Sequence, residues 1–422
     1  MRKGRDSNPR YRYRYTRFPG VPIQPLLHLS NGRKYTLNYV TILNENTLYG
    51  YRKSCTFAIR PKWLSNQQGK QVADMKRRSF ITTLTTGAAA LGVAAPIVRA
   101  SAVSGTAKES TQPLTRVLPR GLRPGSTVGI VCPASGANTE DIRDFIDLCK
   151  YWGVKVKLGK NIAKRTGYLS APDSERASEF MGFIDDTDVD AVVCARGGYG
   201  VMRILPMLDF GAIRQAGKII MGFSDITALL IAANQLSGVV TFHGPVASST
   251  FDDFTVKCLR ETVVMDSQTS CSTFSNTKLT TIAPGIAKGK LTGGNLALVV
   301  STLGTKYEID TTDSILFLEE INEEPFRVDR MLTQLWLAGK LQSCKGIALG
   351  NFRDCEARGT SISPVSFSLE QVFEQRLASL GIPVVYGLPI GHVRSKLTMP
   401  LGVQAELNAT DKTIRILETA VS

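Results

Sequence analysis

Beyond residue 102 the chain contains only two histidines, His243 and His392, which limits the serine mechanisms open to it. A serine hydroxyl is a poor nucleophile until a neighbouring base takes its proton, and histidine is the usual base. His392 follows a predicted strand in a Gly-His loop, where a base can meet solvent, so we favour it as the base. His243, in the sequence Thr-Phe-His-Gly-Pro, follows another short strand and stays open as a cleft residue or a structural one.

Ser224 lies in the sequence Gly-Phe-Ser-Asp, where a predicted strand gives way to a helix. Such a turn can lift a nucleophile above a sheet. The amide of Asp225 would then face a developing oxyanion, and the glycine-rich turn 196–200, with Gly197 and Gly198, could supply a second donor. The alternatives are a serine or Asp225 that caps the helix, and a glycine run that forms only a tight turn.

A histidine base needs a third group that holds its tautomer, and acids at the end of an apolar strand are the candidates. Glu319 comes directly after the predicted apolar strand 314–318, and Glu320, Glu323 and Glu324 are expected in the loop beyond it. A run of acids usually forms a solvated face. The pattern therefore makes Glu319 a candidate for the group that orients the histidine, but does not choose it over the neighbouring acids.

Apolar strands alternate with amphipathic helices between residues 127 and 236. The predicted strands and helices cover 127–132, 139–151, 154–158, 174–184, 190–194, 218–221 and 226–236. This alternation predicts an α/β fold with a parallel sheet that is covered on both faces. Ligands bind such sheets at the carboxyl ends of the strands. Two of those ends carry the turn that begins at Arg196 and the Ser224 turn.

The chain after the first hundred residues divides into two predicted domains. An N-terminal α/β domain over 103–270 carries the serine, and a Ser- and Thr-rich linker covers 271–284. A C-terminal domain over 285–422 carries Glu319 and His392. Its pattern predicts short strands, a helix that begins at Asn295 after two glycines, an amphipathic helix over 327–341 and a β-hairpin over 401–417.

The net charge of +15 is confined to the N-terminal part of the chain. Residues 1–102 hold 18 Lys and Arg against three acids, so 33 bases and 33 acids remain of the 51 and 36 in the whole chain. A protein that binds phosphates along a basic face needs a local excess of positive charge on its folded part. We therefore expect no nucleic-acid partner.

Residues 75–102 have the pattern of a secretory signal, with a basic start, an apolar run and small residues before an expected cleavage after Ala102. Arg77 and Arg78 resemble a twin-arginine signal, so we expect the twin-arginine machinery as a partner and a periplasmic location, or a cytoplasmic one if the signal is not used. Residues 1–74 are expected to be a disordered extension from a start codon assigned too early, with Met75 as the true first residue. A basic arm with its own role is the alternative.

Seven cysteines follow the predicted signal, and no two of them form a C-x-x-C pair. An odd number without tight spacing argues against a disulfide framework and a zinc site. We expect buried thiols that pack as small apolar groups, with room for one oxidised pair.

From about Gly121 to the C-terminus the chain resembles the LD-carboxypeptidases, a serine peptidase family that includes microcin-immunity peptidases. The motifs that carry the resemblance are PASG at 133–136, GYL at 167–169, ARGGYG at 195–200, GFSDITAL at 222–229, TFHGP at 241–245, LTGGNL at 291–296, LFLEEINEEPFRVDRML at 316–332, GLPIGH at 387–392 and the segment 397–402. The resemblance implies a triad of Ser224, Glu319 and His392. It also implies a flavodoxin-like parallel-sheet N-terminal domain and a smaller β-rich C-terminal domain, with the active site at their interface.

The resemblance further implies the reaction. Ser224 would attack the carbonyl before a terminal D-residue and release D-alanine from a murein tetrapeptide through an acyl-enzyme, without a metal or organic cofactor. Arg196, Asn295 and Glu320 remain open as groups that hold substrate charges, and a homodimer also remains open. The alternatives are a hydrolase of a microcin-like peptide-nucleotide antibiotic, which predicts an aromatic clamp in the cleft, and a periplasmic binding protein, which has no need of the triad.

Overall fold

The computed structural model describes residues 114–265, 273–358 and 365–422, and the backbone of two earlier strands, β1 (Tyr39–Asn44) and β2 (Thr47–Tyr51). These two strands pair antiparallel within a separate unit, Met1–Ser104. The expectation of disorder over 1–74 is therefore wrong for residues 39–44 and 47–51, whose Val, Ile, Leu and Tyr content favours strands. The predicted signal at 75–102 lies outside the described residues.

The second unit, Gly105–Ser422, begins with the predicted alternation of strands and helices. Its first strands are β3 (Thr127–Val131), β4 (Lys155–Leu158), β5 (Ala191–Cys194), β6 (Ile219–Gly222) and β7 (Thr241–His243). The helices around them are α1 (Arg143–Tyr151), α2 (Asp173–Asp185), α3 (Val201–Ile204), α4 (Phe210–Ala216), α5 (Thr227–Ser237) and α6 (Asp253–Val263).

These five strands lie in the order β4-β3-β5-β6-β7, and each neighbouring pair is parallel. This is the strand order of flavodoxin-like sheets, so the predicted fold of the N-terminal domain is confirmed. Every residue of β5 and β6 is buried, because helices cover both faces of the sheet. The continuous apolar sequences Ala-Val-Val-Cys and Ile-Ile-Met-Gly are typical of that environment.

The rest of the chain is richer in strands. They are β8 (Thr273–Ser275), β9 (Thr280–Ala283), β10 (Ile286–Asn295), β11 (Ser314–Ile321), β12 (Gly346–Arg353), β13 (Val384–Tyr386), β14 (Met399–Leu401), β15 (Gln404–Asn408) and β16 (Thr413–Ile416). The helices are α7 (Leu296–Ser301), α8 (Pro325–Leu337) and α9 (Leu369–Leu377). Within the described ranges no helix has the length and apolarity that a bilayer crossing requires.

In the described structure, all of these later strands except β14 form a second sheet in the order β8-β16-β15-β10-β11-β12-β13-β9. The neighbours from β10 to β13 are parallel, and the outer pairs are antiparallel. The antiparallel pair β15 and β16 is the predicted hairpin. This mixed sheet confirms the predicted β-rich C-terminal domain.

The prediction of a linker over 271–284 is wrong where the structure describes this segment. Residues 273–275 and 280–283 form β8 and β9, which lie at opposite edges of the second sheet. The partner of β8 is β16 and the partner of β9 is β13, both about a hundred residues or more further along the chain. Such distant pairing leaves no trace in the local pattern, so the short Thr-rich strands look like a loop.

A strand from the predicted C-terminal domain joins the sheet of the predicted N-terminal domain. Strand β14, from the C-terminal part of the chain, pairs antiparallel with β7 and adds an edge to the first sheet. The last residue, Ser422, exchanges backbone hydrogen bonds with the segment at Pro119 and Gly121. Both contacts hold the two sheets in one unit, in which the site described next is assembled.

Candidate active site

Ser224 has a backbone φ of 65°, in the left-handed region that residues other than glycine rarely adopt. It begins a short 3₁₀ turn, Ser224–Ile226, between β6 and α5. Backbone strain of this kind is concentrated at functional sites, where the surrounding structure enforces it. Gly197 allows the turn to pack closely, because a Cβ at that position would lie 2.8 Å from the Cβ of Ser224.

His392 connects the serine to a buried carboxylate. Its Nε2 lies 3.1 Å from Ser224 Oγ, and its Nδ1 lies 2.8 Å from Glu319 Oε2. The loop after β13 reaches the carboxylate because Gly391, with a φ of 97°, has no Cβ to collide with Glu319. The structure thus brings together the three residues that the resemblance implies, in the geometry of a serine triad.

Glu319 is fully buried in β11. Burial alone would raise its pKa, but the contacts with His243 and His392 outweigh it and hold the pKa of Glu319 at about 2. The carboxylate is therefore ionised throughout the neutral range. An ionised acid at Nδ1 keeps that nitrogen protonated and leaves Nε2 free to accept the serine proton.

A cavity of about 770 Å³ is lined by Ser224 and His392 and by residues that follow strands of both sheets. Its basic lining residues, here called the cationic wall, are Arg196, Arg353, Arg394 and Lys396. Its acidic lining residues are Glu140, Asp141 and Asp144. The site therefore lies at the carboxyl ends of parallel strands, as expected for sheets of this kind.

The members of the cationic wall differ in their surroundings. Arg196 and Arg394 are exposed and have no carboxylate partner among the described residues, whereas Arg353 pairs with Asp354. Lys396 is nearly buried, with Nζ 5.5 Å from the centre of the Phe223 ring, and burial lowers its pKa to about 8. Arg196 and Arg394 are thus the cations whose charges are most available to a ligand.

Comparison with known proteins identifies the family of the chain. The family model of the LD-carboxypeptidase N-terminal domain matches residues 128–244, and that of the LD-carboxypeptidase C-terminal domain matches 288–407. The Bacillus subtilis protein named "Probable murein peptide carboxypeptidase" is 40% identical over 312 residues, which are 72% of this chain and 95% of that protein. The chain belongs to the LD-carboxypeptidase family. It is a serine-type carboxypeptidase by that membership.

Two further relatives show the breadth of the family. The crystal structure of muramoyltetrapeptide carboxypeptidase from Oxalobacter formigenes matches this LD-carboxypeptidase with a TM-score of 0.62 and 30% identity, over 70% of this chain and 99% of that one. The Microcin C7 self-immunity protein of Escherichia coli is 26% identical over 71% of this chain and 95% of its own length. The binding-protein alternative is therefore wrong.

The groups predicted to bind the oxyanion lie around the serine of this LD-carboxypeptidase. The amide of Asp225 follows Ser224 directly, and Gly197 and Gly198 line the cavity. The Asp225 side chain is buried and accepts a hydrogen bond of 2.9 Å from the amide of Val201, at the start of α3. The carboxylate therefore does not cap its own helix, as one alternative held, but fastens the glycine turn next to the nucleophile.

Asn295 and Glu320, left open as substrate ligands, have structural partners instead. Asn295 caps α7 through a 3.3 Å bond from the amide of Leu298, and its Nδ2 donates to Glu320 at 3.1 Å. Glu320 also accepts 2.7 Å and 2.8 Å bonds from the amides of Ala297 and Ile321. Both side chains are buried and lie outside the described lining of the cavity.

The prediction that Glu320 enters a loop is wrong, because β11 continues to Ile321. Successive side chains of a strand point to opposite faces. Glu319 therefore faces His392 while Glu320 faces the start of α7, where ordered backbone amides favour a carboxylate. The two neighbouring acids have different partners and separate roles.

Replacing Glu320 by glutamine is expected to change how stability depends on pH. Burial, together with the charge of Glu319, raises the pKa of Glu320 from 4.5 to about 7. Between these values the folded chain keeps a proton that the unfolded chain has lost, so this group lowers the free energy of unfolding as pH rises, by up to roughly 3 kcal/mol. Denaturant titrations should show the fall between pH 4.5 and 7 in the native protein relative to Glu320→Gln; parallel curves would contradict it.

The cysteines behave as predicted for buried thiols in the described ranges, where six are free and buried. Burial raises the pKa of each of them, which disfavours the reactive thiolate. Cys271 lies outside the described residues. The part of the chain that the structure describes also contains no cluster of His, Cys, Asp and Glu that could hold a metal ion.

The sequence patterns did not identify most of the charged residues in the cavity. Arg394 and Lys396 follow His392 closely, and this spacing is the one signal that could have placed them near the base. Arg353 ends β12, and the acids Glu140 and Asp141 begin the first helical turn after β3. Their position at strand ends becomes informative only when the order of the strands is known.

Proposed function

We propose that this LD-carboxypeptidase releases the terminal D-alanine of murein tetrapeptides through an acyl-enzyme on Ser224. The observation that carries the proposal is the continuous contact from Ser224 through His392 to the ionised Glu319 at the edge of an open cavity. The names of the Bacillus and Oxalobacter relatives support murein peptides as the substrate class.

The first half of the reaction forms the acyl-enzyme. His392 Nε2 takes the proton of Ser224 as Oγ attacks the carbonyl of the third peptide residue. The oxyanion is stabilised by the amide of Asp225 and by the glycine turn at Gly197. Glu319 holds Nδ1 and stabilises the imidazolium, which then protonates the amine of the departing D-alanine.

The second half regenerates the serine. His392 removes a proton from water, the hydroxide attacks the ester carbonyl, and the proton returns to Ser224 Oγ as the shortened peptide leaves. The 3.1 Å separation of His392 Nε2 and Ser224 Oγ supports the two proton transfers between these residues.

A carboxypeptidase must recognise a free terminal carboxylate, and the cationic wall supplies charges for that purpose. Arg196 and Arg394 both lack a carboxylate partner among the described residues, and we propose Arg196 as the main ligand because it directly precedes Gly197 of the predicted oxyanion turn. Arginine binds carboxylates through two parallel hydrogen bonds, which fixes orientation as well as charge. The carboxylate would then be held beside the serine, with the scissile bond one residue away.

Replacing Arg196 by glutamine is expected to raise KM for the tetrapeptide roughly 10- to 100-fold, the usual worth of a charge-assisted hydrogen bond, with a smaller change in kcat. Steady-state kinetics on the tetrapeptide and on its C-terminal amide checks this. The native protein should lose efficiency on the amide, whereas Arg196→Gln should cleave both peptides about equally. Arg196→Lys keeps the charge as a control, and an amide effect that survives in Arg196→Gln would contradict the assignment.

The alternative substrate, a peptide joined to a nucleotide, calls for an aromatic clamp around the base. Among the described residues that line the cavity, Phe223 is the only Phe, Tyr or Trp. Incubating the full chain with a murein tetrapeptide and, separately, with an aminoacyl sulfamoyl nucleotide distinguishes the substrates by mass spectrometry. Loss of one alanine from the tetrapeptide supports the proposal, while cleavage of the nucleotide conjugate alone would replace it.

We also propose that the chain is exported to the periplasm through the twin-arginine machinery. The motif at Arg77 and Arg78, followed by an apolar run and a small-residue site, supports this. Changing both arginines to lysine is expected to keep the protein in the cytoplasmic fraction, whereas the native chain should appear shortened in the periplasm. Immunoblotting of cell fractions checks the result, and equal export of both chains would contradict the proposal.

A further inference from the structure

His243 is the second histidine at this site, and it lies on the far side of Glu319 from His392. It ends β7 in the first sheet and is almost completely buried. Its Nε2 lies 3.8 Å from Glu319 Oε1, whereas His392 contacts the other carboxylate oxygen, Oε2. The two imidazoles therefore approach the two oxygens of one carboxylate.

His243 Nε2 and Glu319 Oε1 are both buried, and neither has a hydrogen-bond partner at their present separation. Such atoms are costly in a folded protein and are usually paired. The surroundings are aromatic, with the ring centres of Phe317 and Phe223 at 5.2 Å and 6.1 Å from that of His243. Each of the two atoms can supply the partner that the other lacks, and a shift of roughly 1 Å brings them to hydrogen-bond length.

His243 is placed badly for the role of base that the sequence left open. Its Nε2 faces Glu319, and the residue lies outside the described lining of the cavity. A neutral or charged imidazole with a proton on Nε2 can, however, donate to the carboxylate. Its natural contribution is thus to the orientation of Glu319.

We propose that His243 is a positioning residue, whose Nε2–H donates to Glu319 Oε1 and holds the carboxylate so that Oε2 stays aligned with His392 Nδ1. The inference rests on the proposed triad. Because His243 belongs to the first sheet and Glu319 to the second, the contact also links the serine-bearing sheet to the carboxylate that serves it. Loss of a hydrogen bond that orients a catalytic group lowers kcat rather than raising KM, because the bond stabilises the transition state and not the bound substrate.

Three substitutions in the full chain test the contact. His243→Gln keeps an N–H donor near the position of Nε2, His243→Phe keeps the ring without the donor, and His243→Asn keeps polarity but is too short to reach Glu319. We expect His243→Phe and His243→Asn to lower kcat roughly 10- to 100-fold with KM nearly unchanged, the worth of a hydrogen bond to a charged group. His243→Gln should recover most of the loss, which a purely structural role of the ring does not predict.

The rate of labelling by a fluorophosphonate provides a readout that does not depend on the murein peptide, because the probe needs only an activated serine. Slower labelling of His243→Phe and His243→Asn, with recovery in His243→Gln, supports the inference even if the tetrapeptide is not the substrate. Equal labelling rates in the native chain and all three variants would overturn the inference. Absence of labelling in the native chain would overturn both the inference and the proposed triad. If circular dichroism shows that His243→Phe does not fold, the labelling rates of His243→Asn and His243→Gln test the inference instead.

Discussion

Replacing Ser224 by alanine is expected to reduce turnover of the tetrapeptide by roughly 10⁴- to 10⁶-fold, as in other serine triads. Alanine removes the hydroxyl that attacks the carbonyl and carries the acyl group, while the left-handed turn and the cavity remain. Binding of the peptide should therefore persist, so the loss appears in kcat rather than in KM. Single-turnover kinetics with mass detection of the product measures the change.

Ser301→Ala is a matched control for this substitution. Ser301 is an exposed serine on α7 whose hydroxyl donates to the carbonyl of Ala297. Its loss should leave kcat, KM and fluorophosphonate labelling close to the native values. A Ser224→Ala variant that retains more than about a hundredth of native turnover would show that another residue carries the chemistry.

Replacing Glu319 by glutamine is expected to lower kcat by roughly 10³- to 10⁴-fold. The side chains have nearly the same shape, but the glutamine amide can donate a hydrogen bond from its N–H to His392 Nδ1. That contact favours the tautomer with a proton on Nε2, which cannot accept the proton of Ser224. The substitution also removes the negative charge that stabilises the imidazolium in the transition state.

The neighbouring acid supplies the control, because Glu320→Gln makes the same chemical change on the opposite face of β11. Glu320 contacts Asn295 and the start of α7 rather than the histidines, so its substitution should alter stability and leave kcat within a few-fold of native. Rate measurements on both variants at one pH separate the roles. Similar losses in the two variants would mean that packing around the strand, and not the charge at His392, limits the reaction.

The parallel sheet could be predicted from local pattern because its central strands β3, β5 and β6 are short apolar runs, each followed by a helix. Strands β5 and β6 are buried on both faces, so their sequences are continuously apolar and are easily recognised as strands of a covered parallel sheet. The turns that follow them, at Arg196 and Ser224, were visible for the same reason. This part of the fold is encoded by neighbouring residues.

The second sheet and the edges were harder to predict because their strands are defined by distant partners. Strand β14 has three residues and reaches back across the chain to β7, and β8 and β9 pair with strands near the C-terminus. A three-residue strand has almost no periodicity. Only the tertiary pairing distinguishes these segments from loops.

The roles of the acids at the site could not be assigned from sequence for a similar reason. Glu319 and Glu320 are chemically equivalent neighbours, and their partners, His392 and Asn295, come from segments many residues away. The same applies to His243, whose approach to Glu319 depends on how the two sheets meet. Family resemblance supplied the triad, and the structure supplied the reason why one acid faces the base.

The most direct test of the central claim uses two murein tetrapeptides that differ only in the configuration of the terminal alanine. Each is incubated with the full chain and with Ser224→Ala, and the released alanine is identified by chiral chromatography. The account predicts D-alanine from the native chain and the D-terminated peptide alone. Release by Ser224→Ala, or equal release from the L-terminated peptide, would contradict it.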